Sequence, residues 1–266
     1  MDAIETLSQH LLPAAMVVAR VAGLAVQGPV LSSPAIPVRI KSLLVLTLGV
    51  AIYPTVSASA PLAAEATLMS TALLVGLEFA VGVFIGFLAS MPLLAAQFGG
   101  LMMGQQIGLG FARFYNPAIG EDSDSLEQIL FFLALAIFLA LGGLESMFSA
   151  VAGSFATLPA GTVPGILAGN GEVSPAAIAF GAIGAAFDLG IRVSAPLLAI
   201  VCLETVVMGY LSRSVPQLNV MSVGFPLRIV AGLFVIIASL AAIDEALVDG
   251  TQGAIESLIV SFAGEA

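Results

Sequence analysis

Six apolar stretches, separated by short turns rich in proline and glycine, constrain this sequence more than any other feature. A helix that crosses the hydrocarbon of a bilayer needs about 20 predominantly apolar residues. Hydrophobic residues make up 59% of the 266-residue chain and charged residues only 9%, against about 25% charged residues in soluble domains. We therefore predict one all-α, integral-membrane domain of about six long hydrophobic helices, some of them kinked or paired as hairpins. The stretches run near residues 11–31, 42–56, 67–96, 128–152, 176–208 and 229–248.

The residue inventory excludes most enzyme chemistry. The chain has one histidine, His10, and one cysteine, Cys202, so it lacks the ligands of an ordinary zinc site and cannot form an intrachain disulfide. It has no Gly-Lys-Ser/Thr phosphate-binding loop, and its net charge of −10 argues against a nucleic-acid partner. We predict a non-enzymatic protein with no catalytic residues, metal or cofactor. The acidic start, with Asp2 and Glu5, also predicts that no cleaved signal peptide is present.

The basic residues alternate between the turns and thereby predict an orientation. Arg39 and Lys41 follow the first apolar stretch, Arg113 follows the third, and Arg213 and Arg228 follow the fifth. Loops rich in lysine and arginine stay in the cytoplasm, whereas acidic residues have little influence on topology. The pattern predicts that these three loops are cytoplasmic and that both termini lie on the opposite side.

Five ionisable residues inside the apolar stretches are candidate functional residues: Arg20, Glu78, Asp188, Arg192 and Glu204. A charge at the bilayer centre costs about 2.5–3.5 kcal/mol on insertion scales, so each should face protein or water and have a partner. Asp188 and Arg192 are four residues apart, with the acid first, and can pair on one helix face. Arg20 and Glu78 are a possible interhelical pair. Two interpretations stay open, an ion or proton path and a set of structural or interface pairs, and the second is favoured.

Glycines at helical spacing predict close helix packing. Gly100, Gly104 and Gly108 recur every four residues, and Gly82 and Gly86 repeat the spacing earlier in the chain. On a helix such residues form one smooth stripe that lets another backbone approach closely. We predict that these glycines lie at helix-packing or partner interfaces.

The segment that follows the stripe combines glycine with bulky aromatic residues, and the Asn-Pro pair at its end predicts a helix stop. Aromatic and methionine side chains on a glycine-rich turn make a compliant apolar plug, and such a plug can close a pore by excluding water. The predicted plug and gate loop contains Gly104, Gln105, Gln106, Gly108, Gly110, Phe111, Arg113, Phe114, Tyr115, Asn116 and Pro117.

At these residues the sequence resembles the FliR family, flagellar biosynthesis proteins of the type III secretion export gate. The resemblance covers nearly the whole chain and is most specific in two segments. One is the run from Gly104 to Pro117. The other lies between the last two apolar stretches and adds Pro216, Gln217, Asn219, Gly224 and Pro226 to the predicted partner interface.

The resemblance implies a FliP-like part, about residues 1–175, followed by a FliQ-like helical hairpin, about residues 176–266, with residues 216–226 at its tip. It implies a pore for unfolded flagellar substrates, assembled with FliP- and FliQ-like subunits, and a plug loop that holds this pore shut. Further implied partners are FlhA- and FlhB-like export components and membrane lipid. The implied location is the bacterial inner membrane, multi-pass, in the flagellar basal body.

Two alternatives remain at this point. The homologous subunit of a virulence injectisome would have a similar sequence. A small secondary transporter would have a similar composition, but it would also show internal repeats with interrupted helices in matching positions, and the sequence has no clear repeat of this kind.

Overall fold

The computed structural model describes residues 2–56, 68–109, 125–165, 174–214 and 220–263. These ranges contain α-helices and turns and no β-strand, which confirms the predicted all-α class. The helices are α1 Asp2–Gln27, α2 Val38–Val56, α3 Leu68–Ile107, α4 Ser125–Ala140, α5 Gly143–Thr157, the single turn α6 Val163–Gly165, α7 Pro175–Ser214, α8 Val220–Ala238 and α9 Leu240–Ala263.

Three single helices are long and apolar enough to cross a membrane, and this number is smaller than the six predicted stretches. The segments are His10–Gln27 of α1, Met69–Ile107 of α3 and Pro175–Ser214 of α7. Two further spans are obtained if bent helix pairs are counted, namely α4 with α5 and α8 with α9. The predicted stretch near 42–56 forms α2, which is not among these spans.

Both bends have a local cause. The 64° bend between α4 and α5 falls at Gly142, whose φ of +72° lies in the left-handed region that favours glycine. The 58° bend between α8 and α9 falls at Ser239, whose hydroxyl donates to the Val235 carbonyl over 2.7 Å. Hydroxyl groups that bond back to the preceding turn often bend helices.

The chain packs as two compact units. Unit 1 comprises residues 1–91, 138–182 and 253–266, and unit 2 comprises residues 92–137 and 183–252. The core of unit 1 includes Met16, Leu24, Ile85, Met147 and Phe155, and the buried residues of unit 2 include Leu93, Met103, Leu197, Ile243 and Leu247. The predicted family parts, 1–175 and 176–266, stay a prediction.

Large apolar side chains remain exposed on α7 and α8 of the single chain. Exposed fractions reach 75% for Tyr210, 74% for Phe180 and 72% for Phe234. Many large apolar side chains left exposed in this way mark contact with protein or membrane. The isolated chain therefore leaves uncovered the surface that lipid, detergent or other subunits must cover.

Candidate functional site

A buried ion pair between Arg20 and Glu78 connects α1, α3 and α5 in unit 1. We call this pair, together with the groups hydrogen-bonded to it, the node. Arg20 and Glu78 are both fully buried, and the Arg20 Nε donates to Glu78 Oε2 over 2.8 Å while Nη2 donates to the same oxygen over 2.5 Å. Arg20 Nη1 donates to Ser154 Oγ over 2.9 Å. The sequence left this interhelical pair as one possibility, and the structure brings the two residues together across 58 positions of the chain.

The node also holds the turn that follows α5. Arg20 Nη2 donates to the Leu158 carbonyl over 2.9 Å, and Glu78 Oε1 accepts the N–H of Gly161 over 2.8 Å. Gly161 has a φ of +85°, so the accepted N–H comes from a residue in the left-handed region. The guanidinium carbon lies 3.9 Å from the centroid of the Phe155 ring, a cation–π contact.

The charges of this node are satisfied on every side, as burial requires. The Glu78 carboxylate accepts hydrogen bonds from the Arg20 guanidinium and from a backbone N–H. The Arg20 guanidinium donates to three acceptors, on α3, on α5 and in the turn after α5. Such an arrangement is that of a structural pair rather than of an ion path. Sequence reasoning missed Ser154 and the carbonyl of Leu158, because no local spacing connects them to Arg20.

Three glycines, Gly23, Gly82 and Gly86, let α1 and the residue after it approach the backbone of α3 beside this ion pair. A Cβ on Gly82 would collide with the Arg20 carbonyl oxygen, and one on Gly23 would collide with the Phe79 carbonyl oxygen. Further along the crossing, a Cβ on Gly86 would lie 2.9 Å from the Gly28 nitrogen. The structure thus places Gly82 and Gly86 at a helix crossing, as the spacing suggests. Gly23 on α1 and Gly28, directly after α1 ends, are five residues apart and did not fit the four-residue pattern.

The glycine stripe near residue 100 is shorter than predicted. A Cβ on Gly100 would lie 2.7 Å from the Cα of Glu127 and 2.8 Å from the Leu126 carbonyl oxygen, so Gly100 packs against the start of α4. Gly104 is buried within α3, but α3 ends at Ile107. The prediction that Gly108 continues a helical stripe is therefore wrong.

Gly108 instead terminates α3. Its φ is +89°, its N–H donates to the Gln105 carbonyl over 3.2 Å, and the Leu109 N–H donates to the Gly104 carbonyl over 3.0 Å. These two bonds define a Schellman cap, which requires a left-handed residue and favours glycine. The helix stops before the Asn-Pro pair that was predicted to end it, because glycine can adopt the capping conformation earlier.

The first residues of the predicted plug loop, Gly104 to Gln106, lie inside α3 rather than in a loop, and the cap at Gly108 follows them. Gln105 and Gln106 are exposed on the last turn of α3, while Gly104 and Gly108 are buried. The remaining predicted plug residues lie outside the described ranges: Gly110, Phe111, Arg113, Phe114, Tyr115, Asn116 and Pro117. The role of the loop in a gate stays a prediction.

The predicted hairpin tip is also only partly described. Helix α8 begins at Val220, so Gly224 and Pro226 lie in its first two turns rather than in a loop, with Gly224 buried and Pro226 exposed. Pro226 lies inside the helix and has no N–H to donate to the backbone of the preceding turn. Pro216, Gln217 and Asn219 lie outside the described ranges.

Glu204 finds a partner that the sequence did not reveal. Arg228 of α8 donates from Nε to Glu204 Oε2 over 2.9 Å and from Nη2 to Thr205 Oγ1 over 3.0 Å. Arg228 was predicted to lie in a cytoplasmic loop, and the structure places it inside α8. The pair links α7 to α8 and is one-third exposed at the arginine and 11% exposed at the glutamate.

Asp188 and Arg192 form the predicted pair on α7. The Arg192 Nε lies 2.7 Å from Asp188 Oδ2. The side chains are nevertheless 60% and 70% exposed in the chain. The pair therefore lies on the surface of the single chain, and its structural role stays a prediction.

The described residues contain no cluster of three or more histidine, cysteine, aspartate or glutamate side chains suited to a metal ion. The fold consists of long apolar helices, with ion pairs between helices and many large apolar side chains exposed. These features define an all-α membrane protein whose charged groups link helices.

Comparison with known proteins identifies the family. Residues 11–253 match the family described as "Bacterial export proteins, family 1". The chain belongs to this family, and the resemblance stated from the sequence is confirmed.

Individual relatives agree with the family match. The chain is 30% identical to the flagellar biosynthetic protein FliR of Escherichia coli K12 over 216 residues, which cover 80% of this chain and 78% of the relative. It is 26% identical to FliR of Caulobacter vibrioides, with 86% and 89% covered. It is also 27% identical to the Yop proteins translocation protein T of Yersinia pestis, with 79% and 78% covered.

These relatives support a component of type III secretion export that functions with other subunits of an export apparatus. The apolar helices and the family together indicate an inner-membrane location.

Proposed function

We propose that this protein is a non-enzymatic subunit of the flagellar type III export gate. In this proposal it assembles with FliP- and FliQ-like subunits into the pore for unfolded flagellar substrates, and it meets FlhA- and FlhB-like components there. It is a multi-pass protein of the bacterial inner membrane, within the flagellar basal body. Residues 1–175 correspond to the FliP-like part and residues 176–266 to the FliQ-like hairpin.

The observation that supports assembly best is the uncovered apolar surface of α7 and α8. Tyr210 and Phe234 are each more than 70% exposed in the single chain. Side chains of this size make a large contribution when they are buried at an interface. Together with the family match over residues 11–253, this surface favours a subunit that is completed by partners.

The assembly experiment is co-expression of this chain with FliP- and FliQ-like proteins from the same genome. We expect the chain alone to give a low, detergent-dependent yield and the co-expressed chain to copurify in a stable complex. A monodisperse, detergent-free monomer would contradict the proposal.

A second experiment separates the flagellar role from the alternative. Deletion of the chain should stop export of hook and filament proteins and abolish motility, and the wild-type chain should restore both. The alternative is a role in virulence secretion, which the similarity to the Yop proteins translocation protein T of Yersinia pestis supports. Loss of effector secretion with normal motility would establish that alternative instead.

We also propose that the segment from Gly104 to Pro117 seals the resting pore. The Schellman cap at Gly108 supports this because it ends α3 directly before the part of the sequence that contains the aromatic residues Phe111, Phe114 and Tyr115. A narrow apolar constriction excludes water and ions by dewetting, without filling the pore. Glycine beside the aromatic residues lets the chain bend away when a substrate enters.

The test of the plug is deletion of residues 110–116 in the full complex. Because the deletion leaves α3 and its cap in place, we expect assembly to continue while ions and small solutes leak across the membrane of expressing cells. A deletion complex that assembles and stays as tight as wild type would show that this loop is not the seal.

A further inference from the structure

The start of α2 carries two basic residues that no described acid neutralises. Arg39 is exposed and Lys41 is half-buried, two positions apart in the first turn of the helix. Among the described residues neither side chain forms an ion pair, whereas three other arginines each pair with an acid. The sequence has no acidic residue between Glu5 and Glu65, although the whole chain has a net charge of −10. This part of the protein is therefore locally positive.

The exposed side of α2 is apolar from Arg39 onwards. Leu43, Leu46 and Val50 follow Arg39 at intervals of four, three and four residues, so the four side chains lie along one side of the helix. The three apolar side chains are 66%, 54% and 66% exposed. Every large exposed apolar residue of α2 belongs to this side except Val38, its first residue. We call this surface the α2 outer face, and it consists of Arg39, Ile40, Leu43, Leu46, Thr47 and Val50.

The α2 outer face suits contact with hydrocarbon better than contact with another helix. Helix pairs in membranes meet at small residues such as glycine. The single glycine of α2, Gly49, lies on the packed side instead, where a Cβ would be 2.7 Å from Cγ2 of Val18 in α1. The Thr47 hydroxyl already donates to the Leu43 carbonyl over 2.7 Å. After Arg39 the face therefore offers no free side-chain donor to a polar partner.

The length of the apolar part matches one leaflet of a bilayer. Arg39 and Val50 are eleven positions apart, which is about 16 Å along the helix at about 1.5 Å per residue. The hydrocarbon of a bilayer is about 30 Å thick, so one leaflet measures about 15 Å. Lys41 lies only about 3 Å further along the axis than Arg39, and its long side chain can extend to the same headgroup level.

We propose that the α2 outer face binds one anionic phospholipid, with the phosphate at the two basic residues and an acyl chain along the apolar side chains. The headgroup carries a net negative charge, because a zwitterionic headgroup would bring its own ammonium group to Arg39 and Lys41. Basic sites on the cytoplasmic side of membrane proteins recognise anionic headgroups in this way, and the positive-inside pattern predicts that the start of α2 is cytoplasmic. The inference needs the membrane location and not the export-gate role.

The first test measures lipid binding to the full chain in a mild non-ionic detergent, by mass spectrometry of the intact protein with its retained lipid. We expect the wild-type chain to retain phosphatidylglycerol at concentrations at which phosphatidylethanolamine with the same acyl chains is lost. Arg39→Gln should weaken phosphatidylglycerol binding about fivefold, the factor expected for one basic residue near an anionic headgroup. Arg39→Lys should bind nearly as well as wild type. Inorganic phosphate at the same concentration should not displace the lipid, because it lacks the acyl chain.

Two further variants show whether the effect belongs to this face. Arg213→Gln removes another exposed arginine, at the end of α7, and should leave phosphatidylglycerol binding at the wild-type level. Leu46→Gln places a polar side chain in the middle of the apolar line and should weaken binding several-fold while both cations remain. Without added lipid, both variants should match the thermal stability of the wild-type chain, because both side chains are exposed.

The results separate the possible occupants of the face. Equal retention of the two lipids, or wild-type binding by Arg39→Gln, would overturn the proposal. Displacement of the lipid by inorganic phosphate would overturn it in favour of a simple anion site. Loss of the lipid in a complex with FliP- and FliQ-like subunits would overturn it in favour of a partner subunit that covers the face. If the chain does not assemble with those subunits, the proposed function fails, while the lipid measurements on the chain alone still decide this inference.

Discussion

Breaking the buried node at Arg20 should be the most damaging small change in this protein. Arg20→Met leaves the Glu78 carboxylate fully buried without its cation, and Glu78→Gln leaves the Arg20 guanidinium without its anion. Removal of one partner from a buried pair costs about 3–5 kcal/mol, because the remaining charge is uncompensated. Each single variant should lose about this much free energy of unfolding.

The double variant should be less damaged than the two single variants would suggest. Independent effects would add to a loss of about 6–10 kcal/mol. With both charges removed, the main losses are the hydrogen bonds to the Leu158 carbonyl and the Ser154 hydroxyl, at about 1–3 kcal/mol for each group left unsatisfied. The amide that Glu78→Gln introduces keeps an oxygen that can accept the Gly161 N–H.

The assay is unfolding of the detergent-solubilised chain by titration with a denaturing detergent, followed by far-ultraviolet circular dichroism and protection from protease. Asp188→Asn is the matched control, because it makes the same carboxylate-to-amide change at an exposed pair and should alter stability by less than about 1 kcal/mol. A single variant at the node with wild-type stability would refute the reasoning. So would a double variant as unstable as the additive expectation.

Three further outcomes follow from the helix contacts. Gly82→Ala should lower stability by about 1–3 kcal/mol in the same unfolding assay, because its methyl group meets the Arg20 carbonyl; Gly76→Ala, in open space, should be neutral or slightly stabilising. Gly108→Ala should cost about 1–2 kcal/mol of unfolding free energy, because alanine is strained in the left-handed conformation of the α3 cap, and it should increase protease cleavage after Ile107. Unchanged stability and cleavage would contradict this role of the cap. Arg228→Gln should cost only about 1 kcal/mol, since its pair with Glu204 is partly exposed; a loss as large as that at Arg20 would contradict this difference in burial.

The sequence by itself determined the helical class, the membrane character and the family. Apolar runs and the scarcity of charge are local properties, so they can be read without knowing which helices meet. The Asp188–Arg192 pair was predictable for the same reason, because residues four apart on one helix are neighbours whatever surrounds them. The four-residue glycine spacing likewise pointed to a crossing at Gly82 and Gly86.

Only the tertiary structure decided which helices cross, at what register, and which faces stay open. Arg20 meets Glu78 and Ser154 because α1, α3 and α5 pack at one level, and no spacing along the chain encodes that level. Glu204 meets Arg228 through the packing of α7 against α8. The four-residue spacing lets Asp188 and Arg192 pair wherever α7 lies, but the exposure of the pair depends on which side of α7 the rest of the chain covers. Contacts between distant segments are set by helix packing, whose geometry is shared by many sequences, so burial and partner choice emerge only when the helices are placed together.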